Sequence, residues 1–174
     1  MDILTRFKHC PVCGGSLQPD SAKSMRCHDC GFEYFVNASA AYVALIYDER
    51  GRLLVVRRRC EPAKGTLDLP GGFCDIAETA EEAIIREVKE ETGLDVTRAE
   101  YLFSEPNKYL YSGFNIPTLD IFYHCEVADT QQVKAMDDAL EYVWRATDNI
   151  QTEQFGLRAI RNAVRRYVSG NVNI

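Results

Sequence analysis

The chain has 174 residues, enough for one hydrophobic core and a small appendage but not for two large domains. A hydrophobic content of 46% excludes a disordered chain, and a formal net charge of −6 argues against a broad nucleic-acid-coating surface. That charge does not exclude phosphate substrates, because a bound cation inverts the local sign. No stretch approaches membrane-spanning length, and MDILTRFKHC carries too short an apolar run for a signal peptide, so no membrane partner is expected. Seven cysteines, four of them in CxxC pairs, suit metal binding in a reducing compartment better than a disulfide scaffold. The expected localisation is cytoplasmic.

The first element is Cys10-Pro11-Val12-Cys13-Gly14, answered by Cys27-His28-Asp29-Cys30-Gly31. Each CxxC-G turns two thiolates toward one ion, and the 13 residues between the pairs suit a zinc ribbon. Cys10, Cys13, Cys27 and Cys30 are therefore the expected Zn2+ ligands, with His28 a bystander. So short a segment cannot bury a stable core, and zinc should supply its folding energy. Lys8, Lys23 and Arg26 are too few to make nucleic acid an expected partner.

Phe32 to Asn37 reads as a last ribbon strand, Ala40 to Asp48 as a buried strand, and Arg52 to Arg58 as its returning partner across Glu49-Arg50-Gly51. Arg57, Arg58 and Arg59 follow, either as phosphate contacts or as a solvated strand end. The loop Gly65-Thr66-Leu67-Asp68-Leu69-Pro70-Gly71-Gly72 brings paired glycines that allow close backbone approach.

A helix follows Asp75. Thr79 and Glu82 form a capping box, good helix formers come next, and Gly93 closes the segment. Glu87, Glu90 and Glu91, at i, i+3 and i+4, share one face. Three carboxylates side by side repel unless a hard divalent cation lies between them.

Asp95 to Phe103 is expected to be a strand, Tyr109 to Gly113 a short strand or loop, and Leu119 to Val127 another strand. Tyr101, Phe103, Tyr109, Tyr111 and Phe114 make an aromatic-rich neighbourhood. Cys60, Cys74, Cys125 and His124 read as packing residues. A last acidic cluster spans Asp137, Asp138 and Glu141, before Trp144. A packing helix is expected from about Thr152 to Val168, with Phe155, Ala159, Ala163, Val164, Tyr167 and Val168 as its apolar stripe.

Gly72, Glu78, Arg86, Glu87, Val88, Glu90, Glu91, Gly93 and Leu94 fill every required position of the Nudix box, G-x5-E-x7-R-E-U-x-E-E-x-G-U, with U a bulky aliphatic residue. The chain resembles the Nudix hydrolases, which cleave a nucleoside diphosphate linked to another group. The resemblance implies an α/β Nudix fold over residues 37–174, a mixed β-sheet sandwiched between helices, behind a zinc ribbon at residues 1–36. It implies Mg2+ (or Mn2+) held by Glu87, Glu90, Glu91 and the Gly71 carbonyl. Arg86 would orient the glutamates, Glu78 would support the site, and Glu87 or Glu141 would be the general base.

By the same resemblance Arg58 would bind substrate, as would Tyr109 and Tyr111, which lie about where diadenosine polyphosphate hydrolases place a tyrosine. Leu67 stands where the family's loop usually has Trp. A zinc ribbon ahead of a Nudix domain resembles NADH pyrophosphatases, although Ser104-Glu105-Pro106-Asn107-Lys108-Tyr109 keeps only the Ser and Pro of their Ser-Gln-Pro-Trp-Pro-Phe-Pro run. The expected partner is a nucleotide diphosphate of NAD(H) or ADP-ribose type, and a homodimer is compatible with this reading. The alternative is a sensor that binds nucleotides without cutting them, its ribbon contacting nucleic acid or protein.

Overall fold

The computed structural model describes residues 3–134 and 139–170, so the predicted acidic pair Asp137–Asp138 lies outside the described residues. Two compact units result, one of residues 1–39 with 108–118, the other of residues 40–107 with 119–174.

In the smaller unit, β1 (Leu17–Ser21), β2 (Ser24–Cys27) and β3 (Glu33–Phe35) form an antiparallel sheet in that order. Leu4, Cys10, Leu17, Met25 and Cys27 are its buried apolar residues, too few to hold the unit by themselves. The last ribbon strand is shorter than Phe32–Asn37.

The other strands are β4 (Ser39–Ile46), β5 (Leu53–Arg58), β6 (Leu67–Asp68), β7 (Gly71–Phe73), β8 (Val96–Tyr111), β9 (Phe114–Val127) and β10 (Ala139–Arg145), which apart from the ends that fall in 1–39 and 108–118 form the larger unit. Two sheets run in the orders β10-β5-β6 and β7-β4-β9-β8. The helices are α1 (Ala80–Thr92) and α2 (Arg158–Val168).

Side-chain alternation explains why the strands are apolar on both faces. Val43 and Leu45 of β4, Leu53 and Val55 of β5, and Phe122 of β9 pack with Ala159, Ile160, Ala163 and Val164 of α2. The intervening Tyr42, Ala44, Ile46, Leu54 and Tyr123 pack with Ala83, Ile84 and Val88 of α1. This is the α/β Nudix architecture, a mixed sheet flanked by helices. Leu67, at the Trp position, is buried in the α2-side core and makes a parallel bridge to Phe155.

Four expectations are corrected. The strand expected to end at Phe103 runs on to Tyr111 as β8. Pro106 lies inside this strand, which an edge position tolerates, β8 being the last strand of its sheet. The final helix starts at Arg158, not near Thr152, since Thr152–Gln154 forms a separate 3-10 turn. Its buried stripe includes Ile160, while Val168 is exposed. Cys125 packs in the core as expected, Cys74 is half-buried, and Cys60 is exposed instead of packed.

Candidate active site and metal centre

In the ribbon, the Gly14 and Gly31 amides return to the carbonyls of Cys10 and Cys27 at 2.9 and 3.0 Å, closing two matched turns. These turns bring Cys10 Sγ within 3.6 Å of Cys30 Sγ and Cys13 Sγ within 3.5 Å of Cys27 Sγ. All four sulfurs lie within 4.8 Å of one another, and His28 is not among them. A tetrahedral thiolate site with bonds of about 2.3 Å has edges of about 3.8 Å, so the cluster fits a structural metal such as zinc.

The other site starts from the caps of α1. Thr79 Oγ1 accepts the Glu82 amide at 3.2 Å, and the Glu82 carboxylate accepts the Thr79 amide at 2.8 Å. Gly93, with φ of 73°, ends the helix by donating its N–H to the Lys89 carbonyl. Ile84 and Val88 are buried in the core, Arg86 reaches the Phe73 carbonyl, Glu91 meets the Gly71 amide, and Glu90 stays exposed.

Arg86 is the hub of this face. Its Nε and Nη2 grip Glu78 Oε1 and Oε2 at 2.8 and 2.9 Å, and Nη1 reaches Glu87 at 2.9 Å and Glu90 at 3.1 Å. Nη2 also donates to the Phe73 carbonyl at 3.0 Å. Arg86 is thus tied to three carboxylates of the box. The guanidinium holds Glu78 down to about 2, with help from the Asp75 amide. Burial pushes Glu87 up despite the same arginine.

Glu91 faces another way. Its Oε2 accepts the Gly71 amide at 2.9 Å. Burial pushes it up to about 8; the Gly71 amide opposes the shift, and the charges of Glu87 and Asp68 add to it. Gly71 has φ of 147°, and a Cβ there would lie 2.0 Å from the Tyr42 carbonyl oxygen. At Gly72 a Cβ would stand 2.5 Å from the Glu87 carboxylate. Gly71 is needed for the loop to lie against the β4 backbone, and Gly72 for it to lie against the helix.

Among the described residues the three box carboxylates do not converge as the cysteines do, because Glu87 and Glu90 turn to Arg86 and Glu91 to the Gly71 amide. The donor set nevertheless suits a hard divalent ion, being all oxygen, acidic and partly desolvated.

Sequence reasoning missed a set of buried polar groups. Asp68, Asp120 and Asn107 are 5, 5 and 7% exposed. Arg58 Nη1 meets Asp68 Oδ2 at 2.5 Å and Arg58 Nε donates to the Pro62 carbonyl at 2.8 Å. Asn107 Nδ2 donates to Asp120 Oδ2 at 2.9 Å. Burial raises Asp68, Arg58 opposes that, and the charge of Asp120 adds to it. The available signal was a carboxylate set between aliphatic residues, in Leu67-Asp68-Leu69 and Leu119-Asp120-Ile121.

The remaining predicted residues are spread out. Arg58 is directed to Asp68 and the Pro62 carbonyl. Arg57 pairs with Glu141 at 2.7 Å across the β5–β10 register and also donates to the Gly65 carbonyl. Glu141 is half-exposed. Tyr109 and Tyr111 lie on the β8–β9 hairpin tip, which belongs to the smaller unit. Among the described residues no helix is long and apolar enough to cross a membrane.

Comparison with known proteins agrees with this geometry. The NUDIX domain family model matches residues 37–166. A NAD-capped RNA hydrolase NudC of Pseudomonas aeruginosa is 26% identical over 142 residues, 81% of this chain and 48% of that protein. An ADP-ribose pyrophosphatase of Methanocaldococcus jannaschii is 49% identical over 49 residues, 28% of this chain and 29% of that one. The chain spans about half the length, or less, of these curated relatives. A Nudix hydrolase crystal structure from Nitrosomonas europaea superposes with a TM-score of 0.72 at 22% identity, over 93% of this chain and 90% of the other, which speaks to the fold. With the box complete and the family model covering most of its length, the chain belongs to the NUDIX domain family.

Proposed function

We propose that the chain hydrolyses the phosphoanhydride of a nucleoside diphosphate linked to a second group, of NAD(H) or ADP-ribose type, to a nucleoside monophosphate and a phosphorylated product. The observation that carries this reading is the box face itself, where Arg86 gathers Glu78, Glu87 and Glu90 beside a Glu91 held on the Gly71 amide. Support for the substrate class comes from the names of the two relatives, a NAD-capped RNA hydrolase and an ADP-ribose pyrophosphatase.

Glu87, Glu90, Glu91 and the Gly71 carbonyl would hold Mg2+ (or Mn2+). Such an ion neutralises the diphosphate and lowers the pKa of a bound water. The chain's own contribution is placement. Arg86 holds Glu87 and Glu90 together, and Gly72 lets the loop backbone approach Glu87. A carboxylate accepts the water proton, and we assign Glu141 or Glu87 to that task. In the ribbon, Zn2+ on the four cysteines is structural.

The test is incubation with NADH, ADP-ribose and related nucleoside diphosphate compounds in Mg2+, with the products identified, alongside Glu90→Gln and Glu91→Gln. Wild type should release a nucleoside monophosphate, and each variant should lose about a hundredfold or more of turnover while remaining folded. Binding without cleavage would instead favour the sensor reading. Near-full turnover by either variant at saturating Mg2+ would remove the box from the reaction.

A further inference from the structure

A buried ion pair is an expensive way to fill an interior, because apolar side chains of similar size usually do so at no loss of stability. Arg58 and Asp68 form such a pair, with side chains 17 and 7% exposed. Its position gives it a use. The second oxygen of Asp68 accepts the Leu69 amide at 2.8 Å, so the carboxylate pins the start of Leu69-Pro70-Gly71-Gly72. Two residues on, the Pro70 carbonyl accepts the Ala44 amide at 2.8 Å, and the Gly71 amide then meets Glu91. Arg58 closes the other end, its Nε on the Pro62 carbonyl and its backbone paired with Thr66 and Gly65.

We propose that the Arg58–Asp68 pair is a positioning device for the cation-binding edge of the site, setting the Leu69–Gly72 loop against Glu91 so that Gly71 and Glu91 present their oxygens to a divalent ion. Arg58 is thereby a positioning residue and not a substrate contact. This inference rests on the reading of the box as the divalent-cation site.

The test replaces both members by apolar residues, Arg58→Met with Asp68→Leu, which removes the pair without stranding a buried charge. Mn2+ binding to the metal-free box is measured by water-proton relaxation in the absence of substrate. The Mg2+ concentration for half-maximal hydrolysis of ADP-ribose is measured in parallel, with Glu91→Gln as the reference. The double variant should remain folded and bind Mn2+ about tenfold more weakly, as for other partners of metal ligands. Its half-saturating Mg2+ should rise in proportion, with kcat largely recovered at saturating Mg2+. Asp68→Asn, which keeps an acceptor for the Leu69 amide, should show a smaller loss and serves as the second variant if the double one does not fold.

A folded double variant, or failing that Asp68→Asn, with Mn2+ affinity and Mg2+ dependence within about twofold of wild type overturns the inference and makes the pair purely structural. If Glu91→Gln also binds Mn2+ as wild type does, the reading of the box fails with it. Loss in Glu91→Gln alone sinks only the positioning role.

Discussion

Replacing Arg86 with glutamine removes the hub of the box face while keeping a side chain that can still donate one hydrogen bond. Five contacts are at stake, two to Glu78, one each to Glu87 and Glu90, and one to the Phe73 carbonyl. Hydrogen bonds to charged groups contribute roughly 1.5–3 kcal/mol each, but they are not additive at one guanidinium. The contact to Glu90, a carboxylate 52% exposed, contributes little because water screens it. The two-pronged grip on Glu78 and the bond to Glu87 carry most of the effect, since those carboxylates are 12 and 14% exposed. Discounting for overlap, Arg86→Gln should cost about 2–4 kcal/mol, or roughly 6–12 °C in Tm for a chain of this size.

The assay is urea unfolding of wild type and variant, first in EDTA and then in saturating Mg2+. In EDTA the full loss should appear, because Glu78, Glu87 and Glu90 are left facing one another. In Mg2+ the gap should narrow, as the ion takes over part of the neutralisation. A pH series adds a signed check. Arg86 holds the folded-state Glu78 at about 2, below the ordinary 4.5, so its stabilisation is fully present above 4.5 and is lost as pH falls toward 2. The difference between wild type and Arg86→Gln should therefore shrink over that window. A loss below about 1 kcal/mol in EDTA, or a gap that does not change between pH 5 and 2, would refute this account of the arginine as hub.

Elemental analysis of protein purified without added metal should find one zinc per chain, with less than about half an equivalent in a folded ribbon counting against the four-cysteine site. Prolonged chelation should unfold the ribbon, seen as loss of amide protection at Cys10, Cys27 and Gly31, since the few buried residues there cannot hold it. Glu141→Gln should lower kcat by at least about tenfold with little change in KM and flatten the acidic limb of the pH–rate profile. An unchanged limb and kcat would leave the proton to Glu87. Because Glu141 pairs with Arg57, Arg57→Met is the control: a loss of kcat there with the acidic limb intact would mark Arg57 as holding Glu141 in place.

What could be read from sequence alone was local. The caps of α1, the common face of Glu87, Glu90 and Glu91, and the two cysteine knuckles all depend on residues within a few positions of one another, where backbone geometry leaves little choice. The box spacing likewise placed Arg86 eight residues after Glu78, and the ion pair between them follows from one loop and two helical turns. Long-range pairing decided the rest. Arg57 and Arg58 look alike in sequence, yet strand alternation sends one to Glu141 on β10 and the other to the buried Asp68. The strand expected to stop at Phe103 continues through Pro106, a proline tolerated because β8 is the last strand of its sheet. Asp68 falls in what the sequence reads as a loop and Asp120 in a strand, and only the tertiary fold buries both. Tertiary structure settles such cases because a buried charge is tolerated only where its partner arrives from a different part of the chain.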